Sequence, residues 1–316
     1  MVIHDFIVEG WAIAKDGSAS KIELNDELNS NAYWLHCNRG AEQFEQWLRA
    51  ENTEEFIIDS LLAADTRPRF QQIDNDSFFL ILRGVNLNNG KEPDDMLTIR
   101  LLYTPQRVIT CNLQHSKAIA SVSDELSRGK GPESLEVLVI AILSQLNAKI
   151  ETVIEPIEHF IDAQDNDSFT NEEITEISIK HRKLLRLNRF LKPQLHALSS
   201  LCKNKVSTFD EHTVSLANQL DTMQRIVDTI DFYIAQIDVI NNRISHLNSE
   251  VMNRNTYLLS IIAGIFLPLG FLTGLFGINI GGMPGVENGN AFYLFCGLLV
   301  GVGVFEFVLF RRLKFL

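Results

Sequence analysis

The sequence predicts an α+β membrane protein: an N-terminal α/β domain, a long helical stalk and two transmembrane helices near the C-terminal end. Three observations carry this. Of 40 acidic and 28 basic residues, only Glu287, Glu306, Arg311, Arg312 and Lys314 lie beyond Tyr257, so the charge sits in one part of the chain. Two runs in the remainder are long and apolar enough to cross a bilayer. Between the charged region and the first of them, from Glu211 to Gly264, there is no glycine or proline to break a helix.

Residues 1–131 read as the α/β domain. Short β-branched and aromatic runs at 6–13, 78–84, 97–103 and 107–111 are bounded by turn signals such as Asp16-Gly17 and Asn88-Asn89-Gly90. Helical spacing at 41–50 and 54–64 lies between them, and a largely antiparallel sheet is expected. Two small subdomains would give the same pattern. Residues 1–10 have no basic segment followed by an apolar one, so a cleaved signal peptide is not expected.

Residues 132–257 read as the stalk. Leu135, Leu138, Ile142, Leu146, Ile150 and Val153 recur at three and four, and 171–201 repeats the pattern after Asp165-Asn166-Asp167-Ser168. These predict two long helices, the second kinked or divided at Pro193. Thr208-Phe209-Asp210-Glu211 has the form of a capping box. From there Leu220, Met223, Val227, Ile230, Ile234, Ile237, Asn241, Ile244, Asn248 and Val251 form a heptad-like seam, predicting one helix that continues into the bilayer. At 1.5 Å per residue such a rod is roughly 90 Å long. It needs neighbours, either the two preceding helices or copies of itself.

Residues 258–276 carry no charge and span about 28 Å as a helix, close to the hydrocarbon thickness. The first transmembrane segment is drawn at 258–280, an external loop at 281–290, the second transmembrane segment at 291–310 and a basic tail at 311–316. Arg243 and Arg254 precede the first span, Arg311, Arg312 and Lys314 follow the second, and the loop has neither Lys nor Arg. The positive-inside rule then places both termini in the cytoplasm of a multi-pass protein.

The net charge of −12 therefore belongs to the cytoplasmic region, where it repels nucleic acid and concentrates cations. Cys37, Cys111, Cys202 and Cys296 are scattered, with no zinc-site spacing and no disulfide framework. No glycine-rich phosphate loop, nucleophile elbow or paired carboxylates suggest catalysis, so no enzyme and no catalytic cofactor is expected. Along the first span Asn253, Thr256, Ser260, Ala263, Leu267, Gly270 and Gly274 lie three or four apart and share one small, partly polar face. Either it packs against another helix or it lines a pore between several copies. Pro268 should bend the helix near Gly264. For cytoplasmic metal the first candidates are Glu155, His159 and Asp162 on one acidic helix face, although a plain solvated face explains them as well.

The segment Leu275-Phe276-Gly277-Ile278-Asn279-Ile280-Gly281-Gly282-Met283-Pro284-Gly285 resembles the signature of the CorA-type metal ion transporters. In that family the first transmembrane helix ends in Gly-Met-Asn followed by Met-Pro; here Ile278 stands in place of the methionine. Gly-Ile-Asn followed by Gly-Gly-x-Pro-Gly resembles the zinc transporter (ZntB) branch, as do Tyr33-Trp34-Leu35-His36, Asp65-Thr66-Arg67-Pro68-Arg69 and Phe266-Leu267-Pro268 before Thr273-Gly274-Leu275-Phe276-Gly277. The resemblance implies a funnel-shaped homopentamer in the bacterial inner membrane, its long helices lining the path. It makes Gly277, Ile278 and Asn279 the selectivity motif, with five Asn279 amides accepting hydrogen bonds from a dication's hydration water. The loop departs from the CorA pattern, since Gly285 and Val286 stand where an acid is usual and only Glu287 follows. The implied activity is Zn²⁺ uptake, with a proton gradient as a candidate driving force. The rival readings are a Mg²⁺/Co²⁺ channel gated by cytoplasmic metal, with Ni²⁺ a further candidate ion, and a membrane-tethered regulator.

Overall fold

The computed structural model describes residues 6–22, 32–51, 53–64, 66–164, 169–204, 206–277 and 289–312. The chain divides into two compact units, Met1–Val239 and Ile240–Leu316.

The first unit is built on a seven-stranded sheet in the order β2-β1-β3-β7-β6-β5-β4. The strands are β1 (Ile7–Ile13), β2 (Ala19–Lys21), β3 (Tyr33–Asn38), β4 (Arg69–Gln72), β5 (Phe78–Gly84), β6 (Leu97–Tyr103) and β7 (Arg107–Asn112). Every pairing is antiparallel except β3 with β7, where Cys37 lies beside Cys111. The helices of this unit are α1 (Glu42–Ala50), α2 (Glu55–Leu62), α3 (Lys117–Ser127), α4 (Leu135–Asp162) and α5 (Asn171–Lys203). Strands β2 and β4 are short, and α3 begins from a serine cap rather than an apolar run, so none of the three stood out in the sequence. Gly17 and Gly90 take φ of +78° and +73°, which explains both turn signals.

Alternation across the pleat sends one set of side chains to each face. Phe79, Ile81, Leu102, Ile109 and Cys111 form a core with Phe44, Trp47, Leu48, Ile57, Ile58 and Leu61 of α1 and α2. The opposite face is covered by α4 and α5, which reach β4, β5 and β7. Covered on both sides, β5 is buried at all seven positions. The approach of α4 is close: a Cβ added at Gly84 would stand 2.9 Å from Leu146 Cδ2. Arg39 and Arg100 donate to the carbonyl of Ala63, and Arg83 to those of Thr66 and Met96, so guanidinium groups tie down the segment after α2. Asp65 of that segment lies outside the described residues.

The helix α6 (Thr213–Gly277) runs for 65 residues. Its start differs from expectation. Ser207–His212 is a 3-10 helix with no side-chain cap, and the Thr208 hydroxyl lies beside that of Tyr103 instead. Phe209 wins that local competition: it packs edge-on against Phe78 and Tyr103, with centroids at 5.7 and 5.1 Å, and so draws the segment onto the sheet. The capping box forms instead at α5, where Thr170 Oγ1 accepts from the Glu173 amide and the Glu173 carboxylate accepts from the Thr170 amide. Thr170→Ala should lower stability by about 1 kcal/mol, read as the shift in urea midpoint at unchanged slope. Pro193 does not divide α5, because Leu191, Gln194, Ala197 and Leu198 on both sides of it are buried. The turn at 165–168 lies outside the described residues.

Within the first unit α6 finds its neighbours in α4 and α5. Asn147 donates to the Gln219 carbonyl, Asn188 and Lys192 bind Asp231, and the Tyr233 hydroxyl donates to Asp162. Met223, Val227, Ile230 and Ile237 of the seam are buried there.

The second unit holds the end of α6 and α7 (Ala291–Arg312). Half-buried positions in the apolar part of α6 are Ile261, Gly264, Ile265, Pro268, Leu269 and Leu272; on α7 they are Ala291, Phe295, Cys296, Leu299, Val302, Gly303 and Phe310, with Glu306 buried. These two stripes face each other. A Cβ at Gly264 would meet the Phe310 ring at 2.6 Å, and Phe276 lies 4.9 Å from Phe295.

Candidate ion pathway

Among the described residues three helices are long and apolar enough to cross a membrane: α4, α6 with the preceding 3-10 turn, and α7. Burial separates them. Half of the apolar window of α4 is enclosed by protein, against none of that of α6 and 6% of that of α7. Leu259, Phe266, Leu267 and Phe271 of α6 and Phe292, Tyr293, Leu294 and Phe305 of α7 are each at least two-thirds exposed. An uncovered apolar surface of that extent needs lipid or further copies of the chain around it.

The face singled out in the sequence is the part of α6 that α7 leaves uncovered. Asn253, Thr256, Ser260, Ala263, Leu267, Gly270 and Gly274 are all exposed, while α7 occupies the neighbouring stripe centred on Gly264 and Pro268. Close helix packing is therefore done by Gly264; among the described residues a Cβ at Gly270 or Gly274 would meet nothing within 4 Å. The Ser260 hydroxyl donates to the Thr256 carbonyl at 2.9 Å, which satisfies its proton inside the helix and leaves its oxygen as an outward acceptor. At the N-terminal end of this face Asn248, Met252, Asn255, Thr256, Leu259 and Ser260 line an open groove of about 580 Å³. Of the groove asparagines, Asn248 reads in the sequence as part of the packing seam, and Asn255, beyond the end of that seam, carried no signal of its own. Gly277 closes α6; Ile278 and Asn279 lie outside the described residues.

The cytoplasmic metal candidates are only partly brought together. His159 Nε2 stands 4.0 Å from Glu155 Oε1, but Asp162 accepts a hydrogen bond from Tyr233. Among the described residues no three His, Cys, Asp or Glu side chains are close enough to share an ion. The face is acidic all the same: burial, then the charges of Asp162, Glu155 and Glu151, push Glu158 above the usual carboxylate range against the opposing pull of His159. Burial and the Asp162 contact likewise push Tyr233 up to about 12. Such a field attracts cations without presenting a coordination shell.

His36 is not a ligand but a neutral core residue. The Thr110 hydroxyl accepts from Trp34 Nε1 and pairs with His36 Nδ1, both at 2.8 Å, so it donates to an unprotonated Nδ1. Burial, reinforced by His115 and opposed by Glu9, pushes the imidazole down to about 4 from 6.5. Between those values the unfolded chain binds the proton and the folded one does not. Stability should therefore be full above pH 6.5 and fall by up to about 3 kcal/mol as pH drops to 4. The thermal midpoint of detergent-solubilised protein across that interval checks this, and His36→Asn should flatten the dependence.

The model of the family described as CorA-like Mg²⁺ transporter protein matches residues 29–312. The chain belongs to the CorA-like family. This CorA-like chain is 36% identical to the zinc transport protein ZntB of Vibrio parahaemolyticus over 98% of its length and 97% of that protein's. It is 34% identical to the divalent cation transporter CmaX of Pseudomonas aeruginosa, over 100% of this chain and 97% of CmaX. The structure of full-length CmaX superposes with a TM-score of 0.84 at 33% identity, covering 99% of both chains. The α/β domain, long helix and C-terminal helix are thus the CorA-like architecture, in a chain that is a membrane transporter rather than an enzyme.

Proposed function

We infer that the protein takes up a divalent cation, Zn²⁺ first, through a pore formed where copies of α6 surround an axis in the bacterial inner membrane. The observation that carries this reading is the uncovered face from Asn253 to Gly274, small and partly polar on a helix whose apolar packing is completed by α7 on a different side. A tether has no need of such a face. Five copies, the number implied by the sequence signature, would enclose a path lined by Asn253, Thr256, Ser260 and Ala263 and capped by the selectivity motif Gly277, Ile278 and Asn279. Weak oxygen acceptors suit a dication that keeps its water, since stripping the hydration shell is costly.

The acidic cytoplasmic unit raises the local dication concentration at one end of that path, and both termini share its side of the membrane. Zinc is favoured over magnesium by 36% identity to a zinc transport protein and by Gly285 and Val286 in place of an acid after Met283-Pro284. The test is flux into proteoliposomes with Zn²⁺, Mg²⁺, Ni²⁺ and Co²⁺ in parallel, with and without an inward proton gradient. Zn²⁺ uptake stimulated by the gradient is the expected result. Uptake that ignores pH and is blocked only by excess Mg²⁺ would assign the chain to the gated Mg²⁺/Co²⁺ channels instead.

A further inference from the structure

Glu306 is the one ionisable side chain inside the apolar run of α7 up to Phe310, apart from Tyr293 and Cys296 toward the other end. Its neighbours Phe305 and Phe307 are 67% and 52% exposed, whereas Glu306 is 7% exposed, turned into the contact with α6. Among the described residues its Oε2 has no hydrogen-bond partner. An acid buried this way in a membrane helix is expensive and calls for a compensating partner.

The partner is limited by what stands opposite. Phe276 with Phe295, and Gly264 with Phe310, set an antiparallel register in which Glu306, one turn before Phe310, is level with the Gly264–Pro268 turn. Among the described residues α6 carries no ionisable side chain between Tyr257 and Gly277. On α7 the nearest charges are Arg311 and Arg312 at its exposed end. Pro268 has no N–H to give, so the Gly264 carbonyl lacks its helical donor. Two oxygen acceptors thus lie at one height in a stretch that offers no side-chain donor. A proton satisfies both, because a carboxyl O–H can donate to a backbone carbonyl.

We propose that Glu306 is a proton-exchange site whose carboxyl, when it carries a proton, donates to the carbonyl that Pro268 leaves without a helical partner. Glu306 takes the proton from water and returns it as a proton to water; no other bond changes. With the proton on, α7 clasps α6 at the Gly264–Pro268 turn. With the proton off, the clasp is lost. Because α6 also carries the proposed pore face, proton passage would bias the pore helix; this rests on the transport reading above.

Two readouts test the proposal in the full chain. In infrared difference spectra between acidic and alkaline pH, purified wild-type protein should show a protonated-carboxyl band that Glu306→Gln removes. In proteoliposomes Glu306→Gln, neutral and of the same shape, should keep Zn²⁺ uptake in the absence of a gradient and bring the stimulation by an inward proton gradient to unity. Glu306→Asp should keep part of that stimulation, and it supplies the comparison if the Gln variant folds poorly. A spectrum in which Glu306→Gln leaves every carboxyl band in place overturns the proposal, whatever the flux. So does a gradient stimulation equal in the wild type and the Gln variant, the result expected if a neighbouring copy supplies a fixed donor. Absence of any wild-type flux counts against the transport reading alone, and the infrared result then decides Glu306 by itself.

Discussion

Gly274→Leu should reduce Zn²⁺ uptake by about two orders of magnitude or to the level of empty vesicles, with the protein still folded and assembled. A Cβ at that position meets nothing within 4 Å among the described residues, so none of them opposes it. Leucine is in addition the better helix former, by up to about 1 kcal/mol. In the proposed pore the cost falls where copies of α6 would face one another: a ring of leucines would narrow and dry the path, and a hydrated dication cannot pass a dry constriction. Gly264→Leu is the informative comparison. Its Cβ would stand 2.6 Å from the Phe310 ring, so it should part α6 from α7 and cost about 1–3 kcal/mol of stability. Flux assays and thermal unfolding of both variants separate the two faces. Normal flux through Gly274→Leu would remove this face from the pathway.

Phe78→Ala should destabilise the protein by about 3–5 kcal/mol, the range for deleting a buried phenylalanine that leaves a cavity. Phe78 is fully buried and is the centre of a cluster: it stacks on Tyr103 at 5.0 Å, tilts against Phe70 at 5.6 Å and receives Phe209 edge-on. That cluster fixes the turn from which α6 departs, so the loss should appear both as a lower unfolding midpoint and as protease cleavage near the 3-10 helix at Ser207–His212. A change within 1 kcal/mol would mean that the helix start is held elsewhere, with Thr213 and its bonds to the Phe209 and Asp210 carbonyls as the next place to look.

The elements that the sequence made legible are those whose pattern is long. A 65-residue helix without a breaker, two uncharged runs and strands such as β5 and β6 declare themselves, because hydrophobic periodicity accumulates with length. Strand β2, with three residues, has too short a pattern to register, and the capping motif at Thr208 was a local signal that Phe209 overrode by packing. Of the site, the stripe from Asn253 to Gly274 was visible as spacing, but spacing alone left it open whether the stripe packs or stays free. Glu306 was visible only as an interruption.

The sequence by itself determined that this is a membrane protein with an acidic N-terminal region, a continuous long helix and a C-terminal pair of spans, because charge partition and helical period are properties of the chain alone. Only the tertiary structure decided which apolar helices are enclosed by protein and which face of α6 stays uncovered. Those depend on what packs against what: α4 finds the sheet, α7 finds Gly264, and Gly270 and Gly274 find nothing among the described residues. Burial is a relation between elements, and no single segment carries it.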